Sequence, residues 1–150
     1  VVIPAGLLLD EQGGPQIDTR VTEAIAMQAV MNAETEMGNH PRDVSEEKRG
    51  YDIESFEPHT GYLRFIEVKG RRAGAETVTV TRNEILTALN QPEKFILALV
   101  EVDVASANAS RYVHEPFQQE PDFGVTSVNY KWKPLWERGI EPEHQKAPLT

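Results

Sequence analysis

A nearly continuous apolar run over residues 95–102, Phe-Ile-Leu-Ala-Leu-Val-Glu-Val, most constrains how this chain can fold. The run lacks the alternation of a half-exposed strand, and it is short for a helix. It therefore predicts a β-strand that is buried on both faces in the middle of a sheet. Such a strand needs cover above and below, so we expect an α/β domain with a central mixed β-sheet flanked by helices.

The remaining local patterns predict the elements around this strand. They give a helix over residues 18–37, strands over 51–56, 62–69 and 76–81, a short helix over 82–90 and a further candidate strand over 111–114. The first helix carries apolar side chains around much of its surface, which predicts that it is largely buried. The strands at 51–56 and 62–69 form a β-hairpin, while residues 39–49 and 70–75 are expected to be loops.

Composition limits the class of protein. The chain has 150 residues, no Cys, and 15 Lys+Arg against 24 Asp+Glu, which gives a net charge of −9. Without Cys it can form neither disulfides nor thiolate zinc sites. An acidic chain is also a poor general ligand for nucleic acid, so contact with DNA would require a local basic patch or a neighbouring domain.

We divide the chain into three parts. Residues 1–16 are interpreted as a linker from a preceding region, residues 17–115 as the core, and residues 116–150 as an extended segment containing Pro and aromatic residues. The missing initiator Met suggests a fragment of a longer protein. No apolar run approaches the roughly 20 residues of a membrane-spanning helix, and the lack of a signal sequence favours the cytoplasm.

The strongest candidate site lies on the predicted hairpin. Asp52 comes early on its first strand, and Glu67 and Lys69 come late on its second, so antiparallel pairing in the right register would bring the three together. Two carboxylates and the main-chain carbonyl of Val68 offer the oxygen ligands that Mg²⁺ or Mn²⁺ prefers. Lys69 would orient or help to deprotonate a water molecule and offset phosphate charge, as metal-dependent phosphodiester hydrolysis requires.

Each of these assignments has a structural alternative. Acidic and basic residues on a hairpin are often only cross-strand ion pairs, although charges within an apolar strand need partners. Glu23, or with less support Glu34, could add an acid from the first helix or could simply face solvent. Glu84, with Asn83, could be an accessory residue of the same pocket, but Glu84 also fits a capping box with Thr81.

A basic group follows the candidate site. Arg71, Arg72 and Arg82, together with Lys69, concentrate positive charge near it and form the best phosphate-contacting surface on this acidic chain. The alternative is an ordinary exposed loop.

The motifs at this site resemble those of a known family. The residues concerned are Gly50-Tyr51-Asp52-Ile53-Glu54-Ser55, Arg64-Phe65-Ile66-Glu67-Val68-Lys69-Gly70, Thr81-Arg82-Asn83-Glu84, Val44-Ser45 and Glu120-Pro121-Asp122-Phe123-Gly124. They resemble a domain of unknown function found at the C-terminal end of plant NO VEIN proteins and of many prokaryotic superfamily-two helicases. The resemblance covers about residues 20–131, and it is closest to the helicase-attached branch.

That domain is similar to the PD-(D/E)xK nuclease superfamily. The resemblance implies a restriction-endonuclease-like sheet, with Asp52 as the motif Asp, Glu67 as the motif acid and Lys69 as the motif Lys. The acid of the first helix falls best on Glu23. In some relatives a Gln lies on the second helix, where this chain has Asn83-Glu84 instead.

We therefore expect the nuclease-like C-terminal domain of a helicase-like protein, acting as a Mg²⁺- or Mn²⁺-dependent DNA endonuclease. Its expected partners are DNA and the helicase domain of the same polypeptide, with no membrane involved. The alternative is a non-catalytic nucleic-acid-binding or regulatory module of the helicase, since a fold by itself does not establish catalysis.

Overall fold

Three helices and seven strands make up the regular structure of residues 19–104 and 106–142, which this computed structural model describes. In chain order they are α1 (Thr19–Glu36), β1 (His40–Asp43), β2 (Ile53–Glu57), β3 (Tyr62–Arg72), β4 (Thr77–Thr81), α2 (Arg82–Asn90), β5 (Phe95–Val102), β6 (Ala107–His114), β7 (Ser127–Lys131) and α3 (Trp132–Arg138). A 3₁₀ turn, Ser45–Glu47, lies between β1 and β2.

Five of the strands form a mixed sheet in the order β1-β2-β3-β5-β6. β3 and β5 run parallel, and the other neighbouring strands run antiparallel. β5 lies between β3 and β6, and its first six residues are all buried. The apolar run over residues 95–102 is therefore the interior strand that its composition predicts.

Helices cover both faces of this sheet. On one face α1 packs Ala26 and Val30 against Ile53 and Ile66. On the other face α2, the β4–β7 pair and α3 form a second apolar cluster, which includes Phe65, Ile85, Leu97, Val80 and Leu135. The prediction of an α/β fold with a central mixed sheet flanked by helices is confirmed. None of the helices in the described ranges is long and apolar enough to cross a membrane.

The structure corrects two predicted loops. β1 lies within the polar stretch that was expected to be a loop, and it is a four-residue edge strand held by its pairing with β2. Its sequence, His-Pro-Arg-Asp, has no apolar alternation that would indicate a strand. β3 continues through Gly70 to Arg72, so the first half of the predicted loop at 70–75 is strand, paired with β5.

The prediction that α1 is largely buried is wrong. Its buried residues form one stripe, Thr22, Ala26, Val30 and Glu34, while Val21 is 47% exposed. Within the part of the chain that the structure describes, α1 packs against the main sheet with one side only. Small and apolar residues elsewhere on the helix made it appear more buried than it is.

Residues 116–142 hold regular structure where the sequence analysis expected only an extended segment. β7 pairs with β4 in a separate two-stranded sheet, and α3 follows it directly. Phe117, Trp132 and Leu135 belong to the same apolar cluster as the α2 face of the main sheet. The linker predicted for residues 1–16 and the final residues 143–150 lie outside the described ranges.

A buried ionic network ties α1 to the sheet. Glu34 is fully buried, and its two carboxylate oxygens accept hydrogen bonds of 3.0 Å from Nε and Nη2 of Arg64. The hydroxyl group of Tyr112 donates to Glu34 at 2.7 Å, and the side chain of Asn39 donates at 3.0 Å. Burial opposes ionisation of Glu34, but the guanidinium group of Arg64 outweighs it and lowers the pKa of Glu34.

We predict that Glu34→Ala destabilises the protein by roughly 3–5 kcal/mol, because it leaves the buried Arg64 guanidinium without its main partner. Glu36→Ala is the matched control, since Glu36 is exposed on the same helix; we expect it to change stability by less than about 0.5 kcal/mol. Urea unfolding of both variants measures the difference. A loss below about 1 kcal/mol for Glu34→Ala would show that the network is not structurally important.

Candidate functional site

The register of the β2–β3 hairpin brings Asp52 beside Glu67. Ile53 pairs with Ile66, and the backbone N–H of Asp52 donates to the carbonyl of Ile66 at 2.9 Å. Asp52 therefore lies across from Glu67, on the same face of the sheet. Its Oδ2 atom also accepts a hydrogen bond of 2.9 Å from the backbone N–H of Val68. The register on which the predicted site depended is thus present.

Lys69 joins this pair from the same strand. It lies two residues after Glu67, so both side chains point to the α2 face of the sheet. Lys69 Nζ lies 3.3 Å from Glu67 Oε2 and 3.0 Å from Glu84 Oε1. We call Asp52, Glu67, Lys69 and Glu84 the charged cluster.

The first turn of α2 supplies Glu84. Thr81 caps the helix, with its hydroxyl oxygen accepting from the Glu84 N–H at 3.2 Å, and Glu84 Oε1 accepts from the Thr81 N–H at 3.0 Å. The capping box is therefore confirmed, and the same carboxylate also contacts Lys69. Gly50, at φ +91°, lets the segment before Asp52 approach α2, because a Cβ there would collide with the side chain of Thr87.

Burial and the closeness of other carboxyl groups oppose ionisation within the charged cluster. Burial, together with the neighbouring carboxylates of Asp52 and Glu84, raises the pKa of Glu67 well above its usual value. Burial likewise raises the pKa of Asp52, although the Val68 N–H acts in the opposite direction. Three carboxyl groups thus share one small volume with a single ammonium group, and this crowding adds to the effect of burial on Glu67.

Lys69 has the opposite effect on Glu84. Burial alone would raise the pKa of Glu84, but the ammonium group of Lys69 and hydrogen bonds from its neighbours lower it. Burial alone would lower the pKa of Lys69, but the charges of Glu67 and Glu84 outweigh it and raise that pKa. Lys69 is therefore a fixed positive charge at neutral pH.

The charged cluster lines an open cleft of about 1060 Å³. The end of β3, from Glu67 to Arg72, forms one wall, and the first turns of α1, with Thr19, Thr22 and Glu23, form another. α1 lies very close to β3 here, since a Cβ on Gly70 would lie 2.6 Å from the Cβ of Ala26. The cleft is therefore bounded by a helix end, a strand end and the cluster.

Several predicted site residues line this cleft outside the cluster. Glu23 lines it from α1, with an exposed side chain, and Arg71 and Arg72 line it from β3. Ser45, which belongs to the family motif, also lines it, and so do Thr19 and Thr22; the sequence analysis proposed none of the three as site residues. The spacing of the two Thr residues on the first helix, three apart and next to Glu23, is the signal that could have indicated them.

Other candidates are placed elsewhere. Asn83 is exposed and does not line the cleft. Glu34 lies in the buried network with Arg64. Nη1 of Arg82 donates to three main-chain carbonyls, those of Pro121 (3.4 Å), Asp122 (3.2 Å) and Val125 (3.3 Å), and so supports the loop before β7.

The oxygen atoms near Asp52 are of the chemical kind that a small divalent cation takes as ligands. Within residues 19–104 and 106–142 no group of three or more Asp, Glu or His side chains is arranged to hold an ion. A cation at this place would take its protein ligands from two carboxylates, those of Asp52 and Glu67, and from a main-chain carbonyl. Since alternate residues of a strand direct their carbonyls to the same side, and the Ile66 carbonyl faces Asp52, the Val68 carbonyl is also directed to that side. These are hard oxygen ligands of the kind that Mg²⁺ and Mn²⁺ accept.

We predict that Glu67→Gln stabilises the protein at pH 8 by on the order of 1 kcal/mol. The folded state holds the proton of Glu67 at a pH where the unfolded chain has released it, so folding loses stability as pH rises above the unfolded pKa. Gln removes this loss, and the difference should shrink towards pH 4. Urea unfolding at the two pH values tests it, with Glu36→Gln as control. A free energy of unfolding at pH 8 that is lower for Glu67→Gln than for the wild-type protein would contradict this prediction.

A comparison with known families identifies the domain. The family model described as Protein NO VEIN, C-terminal, matches residues 22–114, which is more than half of the chain. The chain therefore belongs to the NO VEIN C-terminal family. The matched residues run from α1 to the end of β6 and include the whole charged cluster. A comparison with curated proteins found no significant match.

Proposed function

We propose that this member of the NO VEIN C-terminal family is a PD-(D/E)xK nuclease-like domain, which hydrolyses phosphodiester bonds of DNA with Mg²⁺ or Mn²⁺. The observation that carries the proposal is the meeting of Asp52, Glu67 and Lys69 on the wall of an open cleft. The context that we propose, the C-terminal module of a helicase-like protein, rests on the sequence resemblance described above.

Each residue has a role in this proposal. The carboxylates of Asp52 and Glu67 and the carbonyl of Val68 would hold the ion. When bound, the ion would supply positive charge to the phosphate and make hydroxide available near neutral pH. Because its pKa is raised, Lys69 would act as a hydrogen-bond donor and a fixed charge that orients water and phosphate, and not as a base. Glu23 would assist from α1.

DNA would be held along the cleft by Arg71 and Arg72. Both line it next to Lys69, on the last residues of β3. The bonds from Arg82 to three carbonyls favour a structural role for that residue, which does not line the cleft. Since the whole chain carries a net charge of −9, the helicase part would supply most of the affinity for DNA.

One observation favours the alternative, a binding or regulatory module that does not cut. Lys69 pairs with two carboxylates, and these ion pairs satisfy much of the cluster's charge without a cation. In such a module Asp52 and Glu67 would be structural, and substitutions there would leave the affinity for DNA unchanged.

We predict that Asp52→Ala and Lys69→Ala each reduce Mg²⁺- or Mn²⁺-dependent nicking of supercoiled DNA by at least about 100-fold, because each removes an interaction with the reacting groups. Glu54→Ala and Lys94→Ala are the matched controls, since both side chains lie outside the cleft lining. Unchanged nicking in Asp52→Ala would refute the proposal. A chain that cuts with neither metal, yet binds DNA equally well in all variants, would support the non-catalytic module.

We predict that replacing Arg71 and Arg72 together by Ala flattens the dependence of DNA binding on salt. Each lost phosphate contact should reduce the slope of log K against log[salt] by about 0.9. Fluorescence anisotropy without added divalent ions measures this slope at several salt concentrations. Arg42→Ala is the control, because Arg42 is exposed outside the cleft. Equal slopes for the double variant and the control would remove these arginines from the DNA-binding surface.

A further inference from the structure

A single oxygen atom links the cap of α2 to the proposed catalytic lysine. Glu84 Oε1 accepts from the Thr81 N–H at 3.0 Å and lies 3.0 Å from Lys69 Nζ. The Glu84 and Lys69 side chains are only 17% and 18% exposed, so water screens this contact weakly. The oxygen atom that completes the cap of α2 is therefore also a partner of the Lys69 ammonium group.

Lys69 needs such a partner to be held in one place. Its ammonium group ends a flexible four-carbon stem with about 2 kcal/mol of rotamer entropy, so a single ion pair leaves it considerable freedom. Glu67 Oε2 lies 3.3 Å away on one side, and Glu84 Oε1 lies closer on another. Glu67 on the same strand and Glu84 on α2 together restrict the ammonium group of Lys69 far more than Glu67 alone would.

Glu84 is itself rigidly held. Its backbone N–H and its side chain both take part in the capping box with Thr81. Ile85 and Ala88 bury the inner face of α2, and the close approach of Gly50 to Thr87 joins the helix to the segment that leads into Asp52. A movement of α2 would therefore shift the partner of Lys69 relative to Asp52.

We infer that Glu84 is a positioning residue, which holds the ammonium group of Lys69 in the cleft through the N-terminal cap of α2. The inference rests on the proposed function only in that Lys69 is taken to orient water and phosphate. It assigns no contact between Glu84 and the substrate.

Glu84→Gln separates this role from capping. Gln can still accept the hydrogen bond from the Thr81 N–H, because it serves in capping boxes as Glu does, but it offers Lys69 no charge. Glu84→Ala removes both interactions, and Glu84→Asp keeps the charge on a shorter side chain. Glu93→Gln is the control, since Glu93 is exposed just after α2.

The first measurement needs neither metal nor DNA. In the whole chain at low temperature, we expect a ¹H–¹⁵N signal from the ammonium group of Lys69, identified by its loss in Lys69→Arg. The signal should broaden or vanish in Glu84→Gln, partly return in Glu84→Asp and persist in Glu93→Gln. An unchanged signal in Glu84→Gln, at an unchanged melting temperature, would overturn the inference.

The second measurement is kinetic. We expect Glu84→Gln to lower kcat for Mn²⁺-dependent nicking about 10- to 100-fold with little change in KM, as a misplaced group does. If activity instead falls only in step with thermal stability across the Gln, Asp and Ala variants, Glu84 is merely structural. If the unchanged chain does not cut DNA at all, the proposed function fails, while the ammonium signal still decides the role of Glu84.

Discussion

The pairing of Ile53 with Ile66 is the constraint on which the site depends. Both side chains are fully buried beneath α1, on the face of the sheet opposite to the charged cluster. A slip of one residue in this hairpin would expose them and would turn Glu67 to the other face. Apolar packing under one helix therefore sets the distance between two carboxylates under another. For this reason the geometry of the site is as stable as the core itself.

Two buried glutamates show how the same fold treats charge in two ways. Glu34 has a guanidinium group beside it, which lowers its pKa, and it serves to fasten α1 to the sheet. Glu67 has two other carboxyl groups near it, which with burial raise its pKa, and its one basic neighbour is shared with Glu84. Arrangements of the second kind weaken a fold, and they are more frequent at functional sites than elsewhere in proteins.

The sequence predicted best what is decided locally. The apolar run of β5 and the capping box of α2 are recorded within a few neighbouring residues, and both occur as predicted. β1 is a short polar strand that exists through its pairing with β2, so its own sequence gave no sign of it. β7 does alternate, with Val128 and Tyr130 between polar residues, but the sequence analysis did not use this signal. Asp52, Glu67 and Lys69 were recognised as a group from their sequence motif. The contact of Glu84 with Lys69, and the attachment of Arg82 to a loop some 40 residues away, follow only from tertiary packing.

The absence of a side chain at Gly70 has a further consequence for the cleft. α1 lies against β3 at this point, where even a methyl group would meet the Cβ of Ala26 and come within 3.2 Å of the Thr22 carbonyl. Because Gly70 carries only a hydrogen atom there, the helix end that carries Glu23 lies closer to the strand end than any other residue at position 70 would allow. The width of the cleft therefore depends on the size of the residue at position 70. A substitution such as Gly70→Ala would widen it without changing any ionisable group.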